Sequence, residues 1–318
     1  MVKRLIASLL VAASTAVLAW EPTKPIQVTV GFAPGSGNEL SFRGVSSLIE
    51  KANPKINFII ENRPGADGVV AMNEFVTKPN DGYHVYIPSH QGIWVTADFF
   101  NAQAKRYTLD DFEYVVSIAK SPLAVIAWSG SSVNTVPELL DRVKNTAKPI
   151  TFAAGSGAHK LAFSYMVSKV KVNTDLVQTV GYKGPNQAGQ DVAGGHVEFG
   201  IIPAAVAATF VKSGKVKIIG LCSEKPVAGI DAPLMNKWVP GMNVYAAWGI
   251  ILPKGTDPEI QKWYVDNFSK VIKSPEAKQF FDNNYMFFDE RELTPNGFKN
   301  SMMQLRTQWV PILQNFKE

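Results

Sequence analysis

The segment that most constrains the fold is residues 28–40, where an apolar, β-branched run stops at a Pro-Gly-Ser-Gly turn. The run predicts a buried strand, and the apolar positions from Leu40 onward predict a helix. The first N–H groups of a helix lack internal partners, so here they meet at the turn. Small residues admit a close partner and the helix dipole favours negative charge, so the turn predicts an anion site.

The same arrangement occurs again at residues 150–170, where a short apolar run ends at Gly155, Ser156 and Gly157 before a second helical pattern. Two such turns in one chain suggest two similar lobes that grip one anion from both sides. Elsewhere, strand and helix patterns alternate, which predicts an α/β fold with a parallel or mixed sheet. These elements include a helix that a capping box at Thr135 and Glu138 opens, a helix at residues 204–212 that ends at Gly214, and a short strand at residues 286–288. The long apolar run at residues 112–127, interrupted at Lys120, Ser121 and Pro122, predicts a strand that crosses between lobes.

Residues 1–19 have the pattern of a secretory signal peptide. Lys3 and Arg4 precede an apolar core, and the small Ala19 predicts cleavage before Trp20. The core is too short to span a membrane comfortably, so we expect no membrane insertion after cleavage. The pattern predicts export, and the lone Cys222 excludes an intrachain disulfide, which suits a bacterial periplasm.

Composition and motifs exclude several classes of function. The formal net charge is +5 and the basic residues are scattered, so neither nucleic-acid binding nor a membrane-binding face is predicted. Leu40 stands where a dinucleotide fingerprint has its third small residue, and Ala154 and Ala158 flank Ser156 where a hydrolase elbow needs glycines. With one cysteine and no histidine pair at metal-ligand spacing, we expect no metal and no cofactor.

Two of the four histidines lie where ligands bind in open α/β sheets. His90 and His159 each follow the carboxyl end of a predicted strand, in a turn that contains serine. Each either contacts a ligand or is a polar loop residue that faces water. His84 lies within a predicted strand and His196 follows two glycines, so we interpret them as structural and exposed, respectively.

Six short motifs together resemble the Bug/TctC family, the periplasmic solute receptors of tripartite tricarboxylate transporters. The motifs are residues 25–35, Glu61-Asn62-Arg63-Pro64-Gly65, Pro79-Asn80-Asp81-Gly82-Tyr83, Tyr182-Lys183-Gly184, Gly194-Gly195-His196-Val197-Glu198 and Pro253-Lys254-Gly255-Thr256. The resemblance covers essentially the whole chain after residue 19.

The resemblance implies a type II periplasmic-binding-protein fold, with two α/β lobes joined by two crossing strands. Residues 20–122 with 245–318 are then lobe 1, and residues 123–244 are lobe 2. It implies a monomeric receptor, not an enzyme, that captures a small di- or tricarboxylate in the cleft and delivers it to transporter membrane subunits. An exported hydrolase with His90 or His159 as base, and a sensory module without a transporter, remain as alternatives.

The turns and the resemblance together give a set of predicted ligand-binding residues. They are Gly35, Ser36, Gly37, Asn38, Ser89, His90, Gln91, Ser156, Gly157, His159, Tyr182 and Pro203. Ser36, Asn38 and Glu39 depart from the family pattern, so the side-chain contacts of the first turn are this chain's own. Ile202 and Pro203 replace a small polar pair, which predicts a more apolar wall and a carboxylate with a hydrophobic or aromatic body.

Overall fold

The computed structural model describes residues 20–92, 94, 97–170 and 172–314. The predicted signal peptide therefore lies outside the described residues. The strands are β1 (Ile26–Val30), β2 (Phe58–Asn62), β3 (His84–Ile87), β4 (Phe112–Trp128), β5 (Ile150–Ala154), β6 (Val177–Gly181), β7 (Phe199–Pro203), β8 (Val216–Cys222) and β9 (Tyr245–Pro253). The helices are α1 (Gly37–Ala52), α2 (Val69–Phe75), α3 (Ala97–Phe100), α4 (Val136–Lys144), α5 (Gly157–Val170), α6 (Pro185–Ala193), α7 (Ala204–Lys212), α8 (Pro258–Ile272), α9 (Pro275–Asn283) and α10 (Pro295–Gln314).

The strands form one mixed sheet in the order β2-β1-β3-β9-β4-β7-β5-β6, with β8 also paired to β4. β1 is parallel to β2 and β3, and β5 is parallel to β6 and β7, whereas β4 and β9 run antiparallel to their neighbours. This curled sheet confirms the predicted α/β architecture. The two parallel parts place the turns after β1 and β5 at carboxyl strand ends, where ligands bind in such sheets.

Strand β4 connects the two parts of the sheet. Its first part, as far as Pro122, pairs with β9, and from Leu123 onward it pairs with β7 and β8. The interruption that the sequence suggested at residues 120–122 is absent, since β4 continues through it. Nearly every β4 side chain is buried, because helices α7, α8 and α10 pack against this strand. The division into lobes at residues 122 and 245 stays a prediction.

Most local predictions agree with the structure, and one strand prediction is wrong. Helix α7 begins and ends where predicted and is followed by Gly214 with φ +71°. Residues 286–288, predicted as a strand, make only a single bridge, in which the backbones of Lys120 and Phe287 exchange two hydrogen bonds. Tyr285, with φ 55°, and a helical turn capped by Asp289 leave no length for a strand there.

The capping box predicted at the start of α4 allows a direct stability test. Thr135 Oγ1 accepts a hydrogen bond from Glu138 N, and Glu138 Oε2 accepts one from Thr135 N. Because Thr135→Ala leaves the Glu138 N–H without its acceptor, we expect it to lower the free energy of unfolding by about 1 kcal/mol. Urea denaturation measures the change. Thr307→Ala, in the exposed interior of α10, is the control and should leave the midpoint unchanged or slightly higher.

Candidate functional site

A cavity of about 500 Å³ lies between the turns after β1 and β2 on one side and those after β5 and β6 on the other. Phe32, Pro64 and Ala66 give it an apolar wall. Facing them are Ser156, Gly157, Lys160, Tyr182 and Lys183. Its volume falls in the usual range for a small-molecule site, about 300–1,000 Å³.

The turn after β1, predicted to hold an anion, is occupied by the chain's own Glu39. Ser36 caps α1 by accepting from Glu39 N, and Gly35 N donates to Glu39 Oε2 at 2.9 Å. Asn62 Nδ2 and Arg43 Nε also donate to this carboxylate, at 3.1 and 2.6 Å. Burial alone would raise the pKa of Glu39, but these hydrogen bonds outweigh it and hold the pKa below its ordinary value. Gly35 and Ser36 do not line the 500 Å³ cavity.

A second, small cavity of about 20 Å³ gathers six of the predicted residues. They are Gly37, Asn38, Ser89, Ser156, His159 and Pro203. The cavity has room for about one water molecule. At Gly37 an added Cβ would lie 2.1 Å from Cζ2 of the buried Trp248, so only glycine lets α1 approach β9 here. Asn38 Nδ2 donates to Ile87 O at 2.9 Å and ties α1 to β3.

A hydrogen bond to His159 stabilises the turn after β5. His159 Nδ1 accepts from Gly155 N at 3.0 Å, and burial lowers the pKa of His159 to about 3. The ring is therefore neutral at physiological pH and carries its proton on Nε2. Ser156 lines both cavities and Gly157 lines the large one, so this turn is shared between them.

Two hydrogen bonds cross between the two sides of the large cavity. Asp67, in the loop between β2 and α2, accepts at Oδ2 from Gly157 N at 2.8 Å. Asn186 Nδ2 donates to Pro34 O at 3.1 Å. These bonds join the turns after β1 and β2 to the N-terminal regions of α5 and α6. Arg63, just before Asp67, pairs with Glu61 and Glu74 and holds the loop against α2.

Further polar groups of the large cavity come from α5 and the turn after β6, and Asn101, just after α3, also lines it. Tyr182 lies on the wall, and its hydroxyl donates to Asp191 Oδ2 at 2.7 Å. Burial and the neighbouring Asp191 raise the pKa of Tyr182 to about 12. Lys160, in the first turn of α5, and Lys183 each bring a cation to the cavity. An anionic ligand group would therefore meet two cations on this wall, whereas the Tyr182 hydroxyl proton is already donated to Asp191.

His90 and Gln91, both predicted to bind the ligand, lie in the protein interior outside both cavities. The His90 ring is completely buried and packs against Phe298 in a tilted arrangement, with ring centroids 4.8 Å apart. Burial lowers the pKa of His90 well below its ordinary value. Gln91 Nε2 donates to Tyr245 O. The loop predicted after β3 is instead a helical turn packed beneath α10, which takes both side chains away from the cavities.

The apolar wall also differs from the sequence prediction. Ile202 packs in the core around β4, α6 and α7, and Pro203 lines only the small cavity. The apolar surface of the large cavity comes from Phe32, Pro64 and Ala66, which the sequence marked only as strand end or turn. Neither Asp67 nor Lys160 was among the predicted ligand-binding residues, because Asp67 lies in a turn and Lys160 lies at the start of a helix.

The buried histidines predict how stability depends on pH. A folded-state pKa near 3 for His159 lies below the unfolded value of about 6.5, so the unfolded chain binds more protons between these pH values. Stability should therefore fall as the pH drops below about 6.5, by up to about 2 kcal/mol for this group at pH 5. Urea denaturation at pH 7.5 and 5.0 measures the slope.

His159→Gln should make this slope shallower, whatever it does to stability at pH 7.5. His196→Gln, at an exposed position, is the control and should leave the slope as it is in the wild type. An unchanged slope in the His159 variant would contradict the burial argument.

The fold and the cavity together define a class, the two-lobed solute-binding proteins. The family model described as "Tripartite tricarboxylate transporter family receptor", TctC, matches residues 47–292, and the chain belongs to this family of periplasmic receptors. Protein BugT of Bordetella pertussis is 24% identical over 265 residues, which are 82% of this chain and 80% of BugT. The family predicted from the six motifs is thereby confirmed.

Solved structures show the same fold. The periplasmic binding protein BugD superposes with a TM-score of 0.84 at 23% identity, covering 93% of this chain and 98% of BugD. R. palustris Rpa4515, solved with adipate, superposes with a TM-score of 0.85 at 19% identity, covering 92% and 97%. Among the described residues, no helix is long and apolar enough to cross a membrane, and no group of three metal-ligating side chains occurs.

Proposed function

We propose that this chain captures a small carboxylate in the 500 Å³ cavity and delivers it to the membrane subunits of a tripartite tricarboxylate transporter. The proposal rests on the lining of this cavity, in which Lys160 and Lys183 lie across from the apolar Phe32 and Pro64. A carboxylate fits the cationic wall and a short hydrocarbon body fits the apolar one. The adipate in the related Rpa4515 structure and the receptor family support the same chemistry.

The proposal includes export and release as a monomer into the periplasm after cleavage before Trp20. Mass spectrometry of the secreted protein tests the cleavage site, and light scattering tests the monomer. Closure would be a hinge motion about the crossing strands β4 and β9, since ligand contacts on both sides favour the closed form. Scattering data should show a smaller radius of gyration when a binding carboxylate is present.

A binding function is favoured over a hydrolase by the state of the two histidines. A general base works best with a pKa near the operating pH. The pKa of His159 is lowered to about 3, and its Nδ1 accepts a hydrogen bond from Gly155 N. His90 is buried away from the cavities. Incubation of the protein with a bound carboxylate, followed by NMR, should return the ligand unchanged. Turnover would favour the hydrolase.

Thermal-shift screening followed by calorimetry tests the central binding proposal. The panel is citrate, succinate, aspartate, adipate and benzoate, with adipamide and benzamide as neutral controls. A ligand at 100 times its Kd stabilises the folded protein by about 2.7 kcal/mol, which raises the Tm by several degrees. At least one carboxylate should give this shift while the neutral controls do not. If no carboxylate binds, the proposed function is wrong.

A further inference from the structure

The loop that carries Asp67 places an acidic side chain in the cavity wall. Ala66, Asp67 and Gly68 have successive φ values of 46°, 56° and 92°, the left-handed region that Gly, Asn and Asp tolerate best. This tight turn directs the Asp67 carboxylate across the cavity to α5, where it accepts from Gly157 N at 2.8 Å. Asp67 is only partly buried and lines the cavity, so a bound ligand would meet it directly.

The Asp67 carboxylate occupies the place that the sequence assigned to a ligand carboxylate. Gly157 N is one of the first donors of α5, which have no partner inside the helix. In the turn after β1, Glu39 accepts a hydrogen bond from Gly35 N, although neither residue lines the cavity. Both turns predicted to bind an external anion are therefore supplied with a carboxylate by the chain itself.

The charged side chains that line the cavity favour a ligand with one carboxylate over a ligand with two. Lys160 and Lys183 bring two cations to the wall, and Asp67 brings one anion. A ligand with one carboxylate can direct it to the lysines while its other end lies toward Asp67. A second carboxylate at that end would face a like charge in a partly desolvated site, where such pairs repel strongly.

We propose that the cavity selects a ligand with a single carboxylate, whose other end is neutral or cationic, and that Asp67 imposes this selection. The inference rests on the proposed function and narrows its ligand class. Asp67 acts as a specificity-determining residue, because its carboxylate already fills the α5 terminus that a second ligand carboxylate would otherwise use.

The test compares each dicarboxylate with its own half-amide, which has the same number of heavy atoms and one negative charge fewer. Calorimetry at pH 7.5 is run on the full mature receptor with succinate, adipate and terephthalate and their three half-amides. For the pairs that bind, the wild type should prefer the half-amide by about tenfold or more, the usual value of one charge-assisted contact.

Asp67→Asn and Asp67→Gly suit the left-handed backbone and remove the charge. In both variants the preference should fall to about threefold or less, or invert, with thermal unfolding showing that they are folded. Asp175→Asn, an exposed acid before β6, is the control for net charge and should keep the wild-type ratio.

The outcomes separate the two proposals. Equal or tighter binding of dicarboxylates by the wild type, or a ratio that Asp67→Asn and Asp67→Gly leave unchanged, overturns the selection by Asp67 and leaves carboxylate binding standing. If the wild type binds neither member of any pair, nor any carboxylate of the wider panel, the proposed function fails and the inference fails with it.

Discussion

Gly155→Ala should destabilise the receptor and weaken ligand binding together. A Cβ at this position would lie 2.4 Å from both Gly184 C and Pro185 N, and backbone atoms cannot move aside as a side-chain end can. The turn after β5 and the turn before α6 would have to separate. These turns carry Ser156 and Lys183, so the cavity wall would be displaced. We expect the free energy of unfolding to fall by about 1–3 kcal/mol.

Ligand affinity in the same variant should fall by about tenfold or more, since the two turns that form this wall of the cavity meet at Gly155. Gly181→Ala is the matched control. Gly181 also lines the cavity, but its added Cβ would have no heavy atom within 4 Å. Urea denaturation and calorimetry measure both variants. Equal behaviour of the two would contradict the role given to the contact between the turns.

Lys160→Met should remove much of the carboxylate affinity without unfolding the protein. Lys160 lies in the first turn of α5 and lines the cavity beside Ser156 and Gly157. A hydrogen bond to a charged group contributes about 1.5–3 kcal/mol, so we expect the Kd to rise by about 10- to 100-fold. Methionine keeps the length and apolar stem of the side chain, so the change isolates the charge.

Lys169→Met, in the last turn of the same helix and exposed, makes the same change in net charge away from the cavity. It should leave the Kd within about twofold of the wild type, and the affinity of the wild type should weaken as salt rises. A comparable loss in both variants would mean that the lysine acts through the overall field rather than at the site.

The sequence was sufficient for features that depend on neighbouring residues. The strand, turn and helix at residues 28–40 and 150–170 form as predicted, because apolar periodicity and small turn residues are local signals. The capping box at Thr135 is a similar case. Ser36 and Glu39 have the same three-residue spacing as this capping box. The sequence could therefore also have predicted that Glu39 places its carboxylate in the turn after β1.

The parts of the site that escaped prediction depend on contacts between distant segments. Asp67 and Gly157 are ninety positions apart in the sequence. No local pattern indicates that an aspartate in a turn will accept a hydrogen bond from the N-terminus of a distant helix. His90 follows a strand end just as His159 does, yet the packing of α10 against the helical turn determines that it is buried. The order of the strands in the sheet decides which strand ends border the cavity, and this order was not predicted from the sequence.

A crystal structure with the tightest-binding carboxylate of the panel would show where the ligand binds. We expect ligand density inside the 500 Å³ cavity, with the carboxylate within hydrogen-bonding distance of Lys160 or Lys183 and the body against Phe32 and Pro64. Density for the ligand at another surface, with this cavity filled only by water, would contradict it.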